Sequence, residues 1–234
     1  MKAKKRKPYT SDLSDKEWDR IRPLVKVDKH FGVKSRTKFS RQEVLNAIFY
    51  VLRTGCQWRD LPNDFPRWSA VYMQFDRWKK KDLFIKIHDH LRATLREALG
   101  RNAEVSVGIA DSQSVKTVEK KLCGFEANKR IKGRKRHVLV DHLGLIIAAA
   151  VGAANCTDRD GLDALCGLNK TRIKLPKKVY ADLGYSGEDM RGRMAKYGIQ
   201  IETVGRKCKK TFEVEPKRWI VERTFDWAWP SVDD

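Results

Sequence analysis

The hydrophobic period of this chain changes once, near Gly100, and no single fold type accommodates both halves. Up to that point apolar residues recur at helical spacing. In SDKEWDRIRPLV, Ser14 and Glu17 form a capping-box pattern, and Trp18, Ile21, Leu24 and Val25 fall on one face. The basic stretch KVDKHFGVKSRTKF separates this helix from a second box, Ser40 and Glu43. There Val44, Ile48, Val51 and Leu52 make the apolar stripe, and Gly55 is the expected stop. CQWRDLPNDFPRW reads as a loop broken by Pro62 and Pro66. Two further helices follow, WSAVYMQFDRWKKK from Ser69 and DLFIKIHDHLRATLREAL. Four short helices, the third basic and aromatic, suit a helix-turn-helix-like DNA reader. Trp58, Trp68, Phe75 and Trp78 serve equally well as the core of a plain bundle.

Past Gly100 the pattern is that of strands. EVSVGIADS is a strand ending on an acid, and KRHVLVDHLGLIIAAAVG reads as a hairpin around Asp141-His142-Leu143-Gly144. DRDGLDALCGLNK follows as an amphipathic helix, and KKVYADLGYSG as a second strand ending on an acid. Then come the helix EDMRGRMAKYG stopped by Gly198, the strand IQIETVG and a closing helix, EPKRWIVERTFDWAW. This order predicts an α/β domain with a mixed sheet. The chain thus divides into an all-α domain over 1–100 and an α/β domain over 101–234.

Charge limits the partners. Fifty Lys and Arg against thirty Asp and Glu give a net charge of +20 over 234 residues. The bases cluster in KAKKRK, NKRIKGRKR and GRKCKK, which implies a polyanion, most simply nucleic acid. The longest nearly uncharged run, LGLIIAAAVGAA, is too short to span a bilayer, and no apolar segment follows the basic start as a secretory signal would. Five scattered cysteines without C-x-x-C spacing read as reduced thiols. The expectation is a cytoplasmic, nucleoid-associated protein with no membrane contact.

Against that positive background, carboxylates at strand ends need a reason. Asp111 and Asp182 each close an apolar strand; if those strands are neighbours, both acids meet at the sheet edge where α/β folds place their sites. Glu222, in the last helix, is the candidate third acid, giving D-x70-D-x39-E. Oxygen ligands without His or Cys suit Mg²⁺ or Mn²⁺. Two such ions between three carboxylates would serve phosphodiester chemistry. Lys116, Lys132, Arg134, Lys135 and Arg136 would then neutralise DNA phosphates. The plainer alternatives are turn or cap roles for the aspartates, a helical Arg218–Glu222 pair, and a solvated basic loop. No G-x-S-x-G, P-loop or G-x-G-x-x-G offers a competing chemistry.

Seven segments, TGCQWRDLP, WSAVYMQFDRW, IADSQSVK, GRKRHVLVD, ANCTDRDG, YADLGYSG and RWIVERTFDW, together resemble the DDE transposases of bacterial insertion sequences. The likeness is to the short-chain group with an N-terminal helical domain. It implies an RNase H-like catalytic fold, a mixed five-stranded sheet flanked by helices, preceded by an all-α helix-turn-helix-like domain. It also implies Mg²⁺ dependence and metal-dependent strand cleavage and strand transfer at terminal inverted repeats. The partners would be double-stranded DNA, as element ends and as target, and a second copy of the chain assembled on it. Position by position, the family's catalytic, metal-binding acids match Asp111, Asp182 and Glu222, with Arg218 and Arg223 as the basic companions of the glutamate. The pattern departs from the family after Glu222. The chain reads FDWAWPSVDD, with Trp229 where a basic residue is usual, Pro230 ending the helix, and Glu215 in place of the family's tyrosine. A catalytic domain shortened at its C-terminus is expected, and with it a second reading, a DNA-binding remnant that represses transposition without cutting. A nuclease that cuts without strand transfer is the other alternative.

Overall fold

The computed structural model describes residues 6–26, 39–117, 123–204 and 218–228. The chain forms two compact units, Met1–Leu95 and Arg96–Asp234. The basic start up to residue 5, the linker 27–38, the basic run 205–210, Glu215, Trp229 and Pro230 lie outside the described residues, as does the side chain of Arg218.

In the first unit the helices are α1 (Asp15–Lys26), α2 (Arg41–Thr54), α3 (Trp68–Lys80) and α4 (Leu83–Ala98), the last of which ends past Leu95. The capping box forms in full at α1, and its serine half forms at α2, where the Glu43 carboxylate bonds Arg6 instead. The Glu17 N–H donates to Ser14 Oγ at 3.3 Å while the Ser14 N–H donates back to Glu17 Oε2 at 2.8 Å. At α2 the Glu43 N–H donates to Ser40 Oγ at 3.1 Å. Gly55 ends α2 at φ +67°, its N–H returned to the Val51 carbonyl. Ile21 and Val25 of α1 bury against Val44, Leu45, Ile48 and Val51 of α2. Leu52 does not: it is 63% exposed in the last turn, and Leu45 takes its share of the stripe. The aromatics are core. Trp78 is fully buried, and Trp58, Trp68 and Phe75 pack on the same cluster.

The second unit is built on a six-stranded mixed sheet of RNase H-like order. Its strands are β1 (Val107–Lys116), β2 (Gly124–Glu126), β3 (Ile131–Asp141), β4 (Ile146–Ala153), β5 (Lys178–Ala181) and β6 (Gln200–Thr203). β3 lies antiparallel to β1 on one edge, and on the other to β4 and, further along, to β2. β5 runs parallel to β1, and β6 parallel to β5. The helices are α5 (Asp158–Asn169), α6 (Glu188–Ala195) and α7 (Arg218–Ala228). β2 makes this one strand more than the five expected; three residues without an apolar alternation leave no periodic trace.

The sheet buries both faces, and strand alternation assigns each residue to one of them. On one side Ala110, Leu139, Ile147 and Val179 pack with Leu162, Leu165, Met190 and Met194 of α5 and α6. On the other, Ile109, Val138 and Val140 pack with Ile220, Val221 and Phe225 of α7, joined by Tyr180. No helix among the described residues is long and apolar enough to cross a membrane.

Candidate active site

β1 does not end at Asp111, as expected from the apolar run; it continues to Lys116, paired with β3 throughout. What ends near the acid is the neighbour on the other edge. The parallel register runs Val107 to Lys178, Gly108 to Val179 and Ile109 to Tyr180, and then β5 turns away. Asp182 follows β5 with its backbone still extended (φ −73°, ψ 176°) and caps the 3-10 turn Leu183–Tyr185. Two steps past Ile109 is Asp111 and two steps past Tyr180 is Asp182, so each acid follows the last paired residues of the two strands by the same two steps. Period two puts them on the face of Ile109 and Tyr180, the one α7 covers.

Each carboxylate is held by a backbone N–H. Asp111 Oδ1 accepts from Ser112 at 2.8 Å, and Asp182 Oδ1 from Gly184 at 2.8 Å. Both are half-buried. Their charges reach a common neighbour, the buried Tyr185 hydroxyl: burial, and then the charges of Asp158, Asp111 and Asp182, push its pKa well above the ordinary value. Glu222 stands on α7 beside Val221, which is fully buried against this face, but its own side chain is exposed. Among the described residues no three His, Cys, Asp or Glu side chains form a group that would hold a metal ion. In kind, the donors fit a hard divalent cation, since the paired groups are both carboxylates with no His or Cys among them.

The alternation also sorts the basic residues. Lys132, Arg134 and Arg136 share the face of Val138, the register partner of Asp111. Arg136 Nη1 donates to Gln113 Oε1 at 3.3 Å, two residues beyond Asp111 on the same face. Lys116, exposed, is the register partner of Gly133 and so belongs to the opposite side. Lys135 corrects the expectation. It is buried on that opposite side, its Nζ bonded to Asp158 Oδ1 at 3.0 Å and Glu126 Oε1 at 3.2 Å. Burial disfavours its charge, but the two carboxylates outweigh this and raise its pKa. It neutralises the interior and presents nothing to a phosphate. The Arg223 guanidinium lies between the rings of Trp219 and Trp227, 4.8 and 4.7 Å from their centroids, and Nη2 donates to the Leu143 carbonyl at 3.1 Å.

Sequence reasoning missed the polar network under β1. Ser112 Oγ donates to Asp158 Oδ1 at 2.6 Å, and Ser114 Oγ is bonded to Glu126. Burial alone would raise the Asp158 pKa; the bonds from Ser112 and Lys135, with the lysine's charge, lower it instead. His137, 3% exposed, sits in the same layer with neither ring nitrogen hydrogen-bonded. Alternating polar residues in SQS and in RKRH were the available signal.

The family model for a putative transposase of the IS4/5 family matches residues 13–88, and that for a transposase DDE domain matches residues 103–228. A putative transposase for insertion sequence element IS402 of Burkholderia cepacia is 31% identical over 102 residues, 41% of this chain and 48% of that protein. An uncharacterized 16.2 kDa protein of insertion element IS402 from the same organism is 31% identical over 110 residues, 45% of this chain and 74% of that protein. The chain therefore spans about half the length of the first relative. Among solved structures, the piggyBac transposase in a synaptic complex with hairpin DNA covers 84% of this chain and 48% of its own, at 12% identity and a TM-score of 0.40. With the DDE-domain match running over more than half of its residues, the chain belongs to the transposase DDE-domain family.

Proposed function

We propose that this chain is the transposase of an insertion element, which binds the element's terminal inverted repeats and catalyses divalent-metal-dependent DNA cleavage and strand transfer. The observation that supports the reading is the β1–β5 register, which pairs Ile109 with Tyr180, two residues before Asp111 and Asp182, on the face that the helix bearing Glu222 covers. These three residues would hold Mg²⁺ or Mn²⁺, which when bound supplies Lewis-acid polarisation of the scissile phosphate and a more acidic attacking hydroxyl.

The chain's own residues supply orientation and charge. The Ser112 and Gly184 N–H groups each hold one oxygen of the two aspartates. Lys132, Arg134 and Arg136 line the same face and give the phosphodiester backbone counter-charge beside acids that would otherwise repel it. Arg218 and Arg223 flank the glutamate in sequence. Arg223, stacked and bonded in place, orients α7, and its charge helps the approach of DNA. Double-stranded DNA is the partner, both as element ends and as target. Joining two ends requires at least two protomers, so a homo-oligomer assembles on DNA. Such a protein works in the bacterial cytoplasm, at the nucleoid.

The test is Asp111→Asn with a labelled element end. Mg²⁺-dependent nicking disappears and gel-shift affinity stays within a few-fold of wild type; cleavage that survives the change refutes the assignment. A second reading, a DNA-binding remnant that represses transposition, is favoured by the exposure of Glu222 and by the lack of a three-acid group among the described residues. Repeat binding with no Mg²⁺-dependent nicking by the wild-type chain would establish it.

A further inference from the structure

The segment ANCTDRDG has no part in the site as drawn so far, yet its helix start touches the supports of both aspartates. Asp158 is the first residue of α5 and Arg159 the second. Asp158 Oδ1 accepts from Ser112 Oγ at 2.6 Å, and Ser112 is the residue whose N–H holds Asp111. Arg159 Nε donates to the Gly184 carbonyl at 3.0 Å, and Gly184 is the residue whose N–H holds Asp182. Two consecutive side chains thus bond the two residues that carry these backbone donors, through the Ser112 hydroxyl on β1 and the Gly184 carbonyl on the turn after β5.

We propose that the Asp158–Arg159 turn is a positioning clamp that fixes the separation of Asp111 and Asp182, and through it the affinity of the pair for a divalent cation. Neither residue bonds the paired carboxylates directly, so these are positioning residues and not catalytic ones. The inference rests on the reading of Asp111 and Asp182 as the metal-holding pair.

The arrangement has the features such a clamp needs. The hydrogen-bond paths are short, each running through a single intervening residue. Its anchor is rigid. α5 buries Leu162 and Leu165 in the core, and Thr157 caps it by accepting from the Asp160 N–H at 3.1 Å. Lys135, at 3.0 Å, holds Asp158 from beneath, so its carboxylate stays ionised and aimed at Ser112. On the second arm there is no slack: a Cβ on Gly184 would lie 2.9 Å from Asp182 Oδ1. Ligand separation is a property that outer residues control, and loss of such partners typically costs about 10–100-fold in metal affinity.

The test uses the full chain without DNA, titrated with Mn²⁺ in a calorimeter, with thermal melting recorded in parallel. Nicking is measured separately. Ser112→Ala and Arg159→Ala should each weaken Mn²⁺ binding about tenfold, and the double variant should weaken it further. Ser112→Thr, which keeps the hydroxyl, should restore it. In nicking, kcat should fall while KM for DNA holds. If both single variants bind Mn²⁺ as wild type does while Asp111→Asn abolishes binding, the clamp is overturned and the paired-acid site stands. If wild type binds no Mn²⁺, or Asp111→Asn binds it equally well, the site assignment fails and the clamp with it. Should Ser112→Ala melt too low to titrate, the half-exposed Arg159→Ala decides alone.

Discussion

Gly161→Ala sets two opposite effects against each other, and their sizes decide the outcome. Gly161 lies inside α5, where alanine is worth about 1 kcal/mol more than glycine. A Cβ built there would lie 2.0 Å from His137 Cε1 and 2.2 Å from Nδ1, whereas ordinary contacts fall at 3.4–4 Å. The imidazole would have to retreat roughly 1.5 Å in a core where it is 3% exposed. Overpacking on that scale costs about 3 kcal/mol, the upper end for an added methyl. The net is a loss of about 2 kcal/mol, or roughly 4–8 °C in Tm for a chain of this size. Gly192→Ala, in α6 with no atom within 4 Å of its Cβ, is the control and should gain about 1 kcal/mol. Urea melts of wild type, both variants, His137→Ala and the double variant complete a cycle. In the His137→Ala background Gly161→Ala should become stabilising, a coupling of about 3 kcal/mol. A Gly161→Ala protein as stable as wild type, or additivity in the cycle, would refute the close contact.

Lys135→Met leaves the part-buried Asp158 and Glu126 without their cation and should cost about 1–3 kcal/mol in a denaturant melt, while the salt dependence of DNA binding stays as in wild type. Lys132→Ala should do the reverse, with unchanged stability and a log–log salt slope shallower by about 0.9 in filter binding. Burial lowers the His137 pKa. The unfolded chain therefore binds the proton more readily, and stability should fall as pH drops below about 6.5, the ordinary histidine value. Urea midpoints between pH 7.5 and 5.5 should show that slope in wild type, and a flatter one in His137→Leu. Ser40→Ala removes the α2 cap and should cost the first unit about 1 kcal/mol, read as a lower melting point of its helical signal.

Much of this was legible because local chemistry and global packing agree. Ser14–Glu17, Ser40–Glu43 and Gly55 specify helix ends by side-chain and backbone bonds that depend on no distant residue. The positions of Asp111 and Asp182 after apolar runs were visible for the same reason. What stayed hidden depends on pairing. Nothing local announces that β1 keeps a partner beyond Asp111, since that edge is completed by β3, 17 to 25 residues away. Nor does a run such as GRKRH say which of its bases face inward. Lys135 reads like its neighbours until the register with Ser114 assigns it to the buried side. Leu52 shows the opposite limit, since periodicity gives an angle around the helix axis but not whether a neighbour extends that far along it.

The antiparallel ribbon of Ser112–Lys116 against Gly133–His137 carries cationic side chains on one surface and a part-buried ionic cluster on the other. Descendants of this gene are accordingly constrained in how they change length here. Losing or gaining one codon between Lys132 and His137 would turn the strand over, sending Arg134 and Arg136 into the protein and Lys135 out. Paired indels preserve the arrangement, so lineages should differ across this ribbon by even numbers of residues.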